Sequence, residues 1–226
     1  MTSRHFEAVF FDMDGTLVNT EPYWLRAETS LMAEFDYQWT PEDQRHCLGG
    51  PLPRVGEYMR SITGRGDALY YVDELISRVE KLFHEGTDFM PGAEALMLDL
   101  AKGGIPLGLV SASPRVLVDA TLKAIPTGIF AVSVSSDDVI KSKPDPEPYV
   151  KAAASLGVDI ANCLVLEDSL TGISSAQASG AYTLAIPHIV QVTPHDRTHV
   201  IETLEGLDSQ ALNQLFALSN QNGVNR

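Results

Sequence analysis

Five short apolar runs recur through this 226-residue chain, at residues 8–11, 106–110, 132–135, 163–166 and 182–186. Each is rich in Val, Leu, Ile or Phe, and each ends in polar or turn residues. A strand with one wet face alternates apolar and polar residues. A near-continuous apolar run is instead the mark of a strand covered on both faces, and such strands belong to parallel sheets. Between the runs lie helical patterns at residues 92–102, 115–124, 146–156 and 170–179. In the second of these, Val116, Leu117, Ala120 and Leu122 fall largely on one face. Strand–helix alternation implies an α/β fold, a doubly wound parallel sheet with right-handed crossovers.

One stretch interrupts the alternation. From Glu21 to about Glu85 the pattern is helical with no strand-like run. Its three best helices are 23–35, 54–62 and 68–83, separated by segments at 39–41 and 63–66. In the last helix, Leu69, Val72, Leu75, Ile76, Val79 and Leu82 are expected to form the apolar stripe. The chain returns through Phe89-Met90-Pro91-Gly92, which has the turn chemistry of a hinge. The expected organisation is an α/β core from residues 1–18 and 89–226, with a small helical insertion at 19–88. A chain of this length, 44% apolar and 20% charged, can bury one core with such an insertion.

Charge and cysteine content narrow the function classes. Sixteen Lys and Arg against 30 Asp and Glu leave a formal net charge of −14. That balance argues against a nucleic-acid partner, which needs clustered cations to neutralise phosphates. Cys47 and Cys163 make no disulfide framework and have no metal-ligand spacing; two reduced, partly buried thiols are expected. No apolar run approaches the roughly 20 residues that span a bilayer, and residues 1–11 do not resemble a signal peptide. The expectation is a cytoplasmic protein without a membrane partner.

In an open α/β sheet, ligands sit beyond the carboxyl ends of the strands, so the chemistry is read at each exit. The first run leads into Asp12-Met13-Asp14-Gly15-Thr16, two carboxylates flanking a turn. The second leads into Ser111-Ala112-Ser113, a hydroxyl ahead of backbone N–H groups. Ser111 or Ser113 alone reads as a cap for the helix beginning at Pro114. The next connection carries Lys141-Ser142-Lys143-Pro144-Asp145-Pro146, and the fourth run leads into Glu167-Asp168-Ser169. Singly, each acidic pair reads as a turn or helix cap. Together, four exits place carboxylates, a hydroxyl and a lysine around one crevice. Crowded carboxylates call for a hard divalent cation such as Mg2+, which favours oxygen ligands and phosphate-bearing substrates. The lysine and hydroxyl suit non-bridging phosphoryl oxygens. One carboxylate of an i, i+2 pair can attack while the other moves protons, so the set fits phosphoryl transfer through an aspartyl-phosphate.

These segments resemble the four motifs of the haloacid dehalogenase superfamily, in its phosphatase and phosphomutase branch. The matching residues are Phe10-Phe11-Asp12-Met13-Asp14-Gly15-Thr16-Leu17, Leu109-Val110-Ser111-Ala112-Ser113, Lys143-Pro144-Asp145-Pro146 and Leu166-Glu167-Asp168-Ser169-Leu170-Thr171-Gly172. Order and spacing agree over residues of about 8 to 190. The resemblance implies that Asp12 is the nucleophile and that Asp14 protonates the leaving oxygen, then activates water. It implies Mg2+ on the Asp12 carboxylate, the Asp14 backbone carbonyl and Asp168, with Glu167 acting through a metal-bound water. It assigns Ser111 and Lys143, with backbone N–H groups near Gly15 and Ala112, to the transferring phosphoryl group. The helical insertion matches the family's small cap, and this cap type goes with a monomer rather than a dimer. Asp14 itself argues against carbon–halogen hydrolysis, since the dehalogenase pattern lacks that second aspartate.

Within the branch, Asn19-Thr20-Glu21-Pro22-Tyr23-Trp24 followed by Arg26-Ala27-Glu28 looks like the cap entry of sugar-phosphate and hexitol-phosphate phosphatases. Beta-phosphoglucomutases share much of it. Mutases place an arginine shortly after the glycine of their specificity loop; here the loop reads Leu48-Gly49-Gly50-Pro51-Leu52-Pro53-Arg54, with Pro51 nearer and Arg54 later. Pro114-Arg115 follows Ser113 where a mutase carries a lysine-containing run. Both departures favour hydrolysis of a small phosphorylated metabolite, a sugar or polyol phosphate, over hexose-phosphate mutase chemistry. Glu21, Trp24, Gly50 and Arg54 are the candidate substrate residues of the cap. A non-catalytic phosphate-sensing or partner-binding protein is the third reading, and it would need neither nucleophile nor acid/base.

The remaining residues have ordinary roles. The six histidines form no tight ligand set, and His195 and His199 read as surface loop. Trp24 and Trp39 read as cap packing. Asp137-Asp138 reads as a loop or helix-start pair, and the polar tail from Ser219 as frayed.

Overall fold

A computed structural model describes residues 6–48, 51–187, 192 and 196–222, without the side chains of 217–222. The chain divides into two compact units, one from Met1–Asn19 with Asp88–Arg226, the other from Thr20–Thr87. In the first unit, β1 (Val9–Phe11) is wholly buried, as a three-residue strand of Val-Phe-Phe must be when helices cover both faces. The chain leaves and re-enters this unit on paired segments. Asn19 N–H donates to the Asp88 carbonyl at 2.8 Å, and Met90 N–H to the Leu17 carbonyl at 3.0 Å.

The helical unit contains α1 (Glu21–Ala33), α2 (Pro41–Cys47), α3 (Leu52–Thr63) and α4 (Ala68–Phe83). Helix α2 was not expected, because residues 39–41 read as a separator. They are instead its start: Thr40 and Asp43 form a reciprocal capping box, with Pro41 in the first turn. The stripe of α4 is also rotated from expectation. Tyr71, Leu75, Val79 and Phe83, at strict i, i+4 spacing, are its buried residues, while Leu69 is 69% exposed. An apolar count treats leucine and tyrosine alike; packing chose the rings, with Tyr71 against Phe35 and Phe83 against Tyr23.

After α5 (Ala93–Lys102), the α/β unit continues with β2 (Leu107–Val110), α6 (Arg115–Lys123), β3 (Val132–Val134), α7 (Glu147–Leu156), β4 (Leu164–Glu167), α8 (Leu170–Ser179), β5 (Tyr182–Ala185), β6 (Thr198–Val200) and α9 (Ser209–Asn222). The sheet order is β3-β2-β1-β4-β5-β6 and every pairing is parallel. This is the doubly wound architecture the alternation implied. On α6 the buried residues are Leu117, Val118, Ala120 and Thr121, and Val116 is at the surface. Strand β6 and helix α9 were not foreseen. The first is a three-residue edge strand of Thr-His-Val, and among the described side chains of the second, at 209–216, Leu212 and Phe216 are the buried ones. The tail expected to fray from Ser219 is helical as far as Asn222.

Beneath one face of the sheet, Phe10, Val110, Val134, Tyr149, Ala152, Val165 and Ala176 form one apolar cluster. Its period-two contribution from β1 leaves Val9 and Phe11 for the opposite face. Among the described residues no helix is long and apolar enough to cross a membrane. Cys47 and Cys163 are buried and free, and burial pushes both thiols up to about 12. Both are therefore poor nucleophiles.

Candidate active site

Sheet order determines where the site falls. The chain runs from β1 outward to β3, then crosses back to place β4 on the other side of β1. A crevice opens at such a reversal, beyond the carboxyl ends of the two central strands. Asp12 follows β1 directly, and its N–H donates to the Leu166 carbonyl at 3.0 Å, so it stands against the end of β4. Glu167 closes β4 and Asp168 follows it. One ligand oxygen from each of Asp12, Glu167 and Asp168 lies within 4.8 Å of the others.

The turn after Asp12 is tight for a geometric reason. Gly15 has φ +83°, and a β-carbon there would lie 2.5 Å from Asp168 Oδ2, so only glycine admits both the backbone and the carboxylate. Leu17 and Val18 N–H groups both donate to the Met13 carbonyl, closing the loop. Thr16, not singled out by the sequence, donates its hydroxyl to Asp168 Oδ1 at 3.1 Å.

Lys143 is the hub. Its Nζ donates to Asp12 Oδ1 at 2.6 Å, to Glu167 Oε1 at 2.6 Å and to the Val110 carbonyl at 2.9 Å. It also sits 4.9 Å from the centre of the Tyr149 ring. The loop lysine of the sequence is thus a buried cation, its side chain 3% exposed. Burial opposes its charge, but Asp12 and Glu167 outweigh burial and hold the ammonium above its ordinary value.

Glu167 is fully buried with both oxygens engaged. Oε1 also accepts from the Tyr149 hydroxyl at 2.8 Å, and Oε2 from the Ser169 hydroxyl at 3.1 Å. Tyr149 is a dependable donor, since burial and then the Glu167 charge raise it well above the usual phenol range. Ser169 also caps α8 through the Gly172 N–H at 3.0 Å. A β-carbon on Gly172 would lie 1.7 Å from Glu167 Oε1. Propensity alone would favour Gly172→Ala by up to about 1 kcal/mol in a helix. The overlap reverses the sign: a net loss of about 1–3 kcal/mol is expected, together with a displaced Glu167. Thermal melts and activity assays of the variant check both.

Asp14 stands outside the three-carboxylate group. Its Oδ2 accepts from Ser111 at 3.2 Å and from Ser113 at 2.8 Å. Its Oδ1 is buried with no partner among the described residues. Ser111 is buried at the end of β2, its N–H donating to the Val134 carbonyl at 2.9 Å. Ser113 N–H donates to Ser111 Oγ at 2.9 Å, and Ala112 between them is exposed. Neither serine caps α6. Arg115 N–H is taken by Asp137 Oδ2 at 2.8 Å, while Asp138 forms a capping box with Ser135 and pairs with the Arg115 guanidinium.

The structure therefore gathers Asp12, Asp14, Gly15, Ser111, Lys143, Glu167 and Asp168 at the sheet's exits, and adds Thr16, Ser113, Tyr149 and Ser169. Of these, only Ser113 and Ser169 had local signals, a second serine in Ser-Ala-Ser and a serine before a helix. The residues assigned to substrate in the helical unit are placed within that unit alone. Glu21 and Trp24 open α1, and Arg54 on α3 donates to the His46 carbonyl at 2.7 Å. Gly50 lies outside the described residues, as does His195; His199 packs edge-on against Phe216.

The donor set fits a hard divalent cation. Three carboxylates converge, and Asp12 is held well above the usual carboxylate range by burial first and then by the Glu167 charge, with Lys143 only partly compensating. A second positive charge would relieve that crowding.

Set beside known proteins, residues 9–186 match the family model described as haloacid dehalogenase-like hydrolase. The chain belongs to that family, and it is a phosphatase of it. Hexitol phosphatase B of Escherichia coli (strain K12) is 30% identical over 190 residues, 82% of this chain and 86% of that one. Protein CbbY of Rhodobacter capsulatus is 33% identical over 195 residues, 80% and 85% of the two chains. The crystal structure of CbbY from Rhodobacter sphaeroides in complex with phosphate superposes with TM-score 0.78 at 26% identity, covering 92% of this chain and 99% of that one.

Proposed function

We propose that this chain hydrolyses a small sugar or polyol phosphate monoester in two steps at Asp12, with Mg2+ as cofactor. The observation that carries the reading is Lys143 bridging Asp12 and Glu167 at 2.6 Å each, with the doubly bonded Asp14 next along the same turn. Hexitol phosphatase B, matched over most of its length, supports the substrate class.

In the first step an Asp12 oxygen attacks phosphorus, the bond from phosphorus to the alcohol oxygen breaks, and Asp14 delivers a proton to that oxygen. In the second, Asp14 takes a proton from water, the water oxygen attacks phosphorus, and Asp12 departs as a carboxylate with release of inorganic phosphate. The Ser111 and Ser113 hydroxyls hold Asp14 Oδ2, which leaves Oδ1 as the oxygen that carries the moving proton. With substrate bound, the Ser111 hydroxyl turns from Asp14, which Ser113 still holds, to a phosphoryl oxygen, and Lys143 and backbone N–H groups near Gly15 and Ala112 steady the others. Asp12, Asp168 and the Asp14 backbone carbonyl would hold Mg2+, with Glu167 acting through water. When bound, the ion offsets the carboxylate charge and polarises a phosphoryl oxygen. The helical unit serves as the cap that selects the alcohol, with Glu21, Trp24, Gly50 and Arg54 as its candidate contacts. The expected location is the cytoplasm and the expected state a monomer.

Phosphate release from an aryl phosphate, sugar phosphates, polyol phosphates, nucleotides and phosphoglycolate tests the reading. Release from none of them in Mg2+ would overturn it. Excess chelator is expected to abolish release, and added Mg2+ to restore it. A ligand that binds only the folded state stabilises it by about 2.7 kcal/mol at a hundredfold excess over Kd, so Mg2+ should also raise Tm. An unchanged Tm together with chelator-resistant turnover contradicts the metal assignment.

A further inference from the structure

An ammonium carries three N–H groups and no acceptor. All three on Lys143 are engaged, by Asp12 Oδ1 at 2.6 Å, Glu167 Oε1 at 2.6 Å and the Val110 carbonyl at 2.9 Å. A lysine in that state can hold a phosphoryl oxygen only by giving up one of these bonds. The cost of giving one up depends on whether another donor stays behind on the acceptor.

Glu167 is fully buried, so a carboxylate oxygen left bare there would carry its whole desolvation penalty. Neither oxygen is left bare when Lys143 leaves. The Tyr149 hydroxyl donates to the same Oε1 at 2.8 Å, and Ser169 serves Oε2 through its hydroxyl at 3.1 Å and its N–H at 3.3 Å. Packing does not ask for the Tyr149 hydroxyl. Tyr149 stands in the first turn of α7, within the apolar cluster beneath the sheet, its ring 6.5 Å from that of Phe10. A phenylalanine would fill that space without bringing a polar group into an apolar layer. The hydroxyl is thus a second donor on an oxygen that an ammonium already serves. Every one of these groups belongs to the α/β unit.

We propose that Tyr149 is a positioning residue for phosphoryl binding: its hydroxyl holds Glu167 Oε1 in place when Lys143 turns one N–H from that oxygen to the phosphoryl group. The inference rests on the proposed function, which puts Lys143 on a phosphoryl oxygen, and adds the exchange that makes the contact possible. No proton moves in it. Lys143 keeps its charge and its bond to Asp12, while Glu167 remains an acceptor with a donor on each oxygen.

Tyr149→Phe keeps the ring, and with it the face that lies 4.9 Å from Lys143 Nζ, and deletes only the hydroxyl. The experiment titrates wild type and variant with inorganic phosphate in Mg2+ by calorimetry, alongside kcat and KM for para-nitrophenyl phosphate and the Tm without phosphate. Deprived of the second donor, Glu167 retains Lys143. The Kd for phosphate is expected to rise about tenfold, the order set by one hydrogen bond to a charged group, and kcat/KM to fall at least as far. A merely structural hydroxyl would lower the Tm and leave the phosphate Kd within about twofold of wild type; that result overturns the proposal. A crystal structure of the wild type with Mg2+ and inorganic phosphate decides independently, even should the variant not fold. Lys143 Nζ is expected on a phosphate oxygen and beyond hydrogen-bond distance of Glu167 Oε1, with Tyr149 still donating to that oxygen; a Lys143–Glu167 bond that persists beside the phosphate contact refutes the exchange. The two ideas fail separately. A wild type that releases phosphate from no ester refutes the catalytic reading, whereas wild-type turnover with an unmoved phosphate Kd in Tyr149→Phe refutes only the role of Tyr149.

Discussion

Asp12→Asn is expected to lower kcat/KM on every phosphate ester by about 10^4-fold or more, the order of loss that follows removal of a nucleophile. The fold should survive the change. Asp12 is held above the usual carboxylate range, so its charged form costs free energy in the metal-free protein. The sign follows from that direction: the stability linked to Asp12 is greatest where the group is neutral and is lost as pH rises through its folded pKa. An uncharged amide of the same shape avoids the cost. At neutral pH in chelator, the Tm of the variant should equal or exceed that of wild type. Lost activity with a sharply lowered Tm would point to disruption instead, and retained activity would remove Asp12 from the mechanism.

Lys143→Met carries the second large effect. It keeps the aliphatic stem and deletes the one charge that Asp12 and Glu167 share. It also leaves the Val110 carbonyl without that donor. Removing one partner of a buried ion pair typically costs about 3–5 kcal/mol, because the stranded charge pays its full desolvation penalty. For a chain of this size that is a fall in Tm of roughly 10 °C. Activity should fall with it, since loss of a single preorganised donor to the reacting group costs on the order of 10^2–10^3 in kcat. The folded ammonium is held above its ordinary value, so this contribution is fully present below the ordinary lysine pKa and lost only at higher pH. Adding Glu167→Gln to Lys143→Met removes one stranded charge. The double variant should regain part of the stability and none of the activity. Melts and initial rates of the single and double variants measure both effects, and a double variant no more stable than the single would contradict the stranded-charge account.

The particular residues show which layers were legible before the structure. Strands β1, β2 and β4 could be read because burial on both faces leaves an unbroken apolar run, and their exits then named Asp12, Ser111, Glu167 and Asp168. Helix α4 could be read to its ends, since the apolar period persists for 16 residues between Asp67 and His84. Helix α2 could not, although Thr40-Pro41-Glu42-Asp43 is a capping box in plain view, because a seven-residue helix is too short for periodicity to register. Strand β6 and helix α9 failed for a related reason. The edge strand is partly exposed, and the described side chains of α9 bury only Leu212 and Phe216; burial is what writes the pattern.

By itself the sequence determined the alternation, the place where a helical insertion breaks it, and the identity of the groups at each strand exit. These are local properties: periodicity follows from backbone geometry, and an exit residue is simply the next one in the chain. Tertiary structure alone decided that Lys143 is a buried hub and not a surface lysine, that Ser113 and Ser111 share one oxygen of Asp14, and that Tyr149 backs Glu167. It also decided which oxygen of Asp14 has no partner among the described residues. Each of those facts depends on groups that are distant in the chain meeting at hydrogen-bond distance, 2.6 to 3.2 Å. Such meetings are set by sheet order and packing, which no single segment encodes.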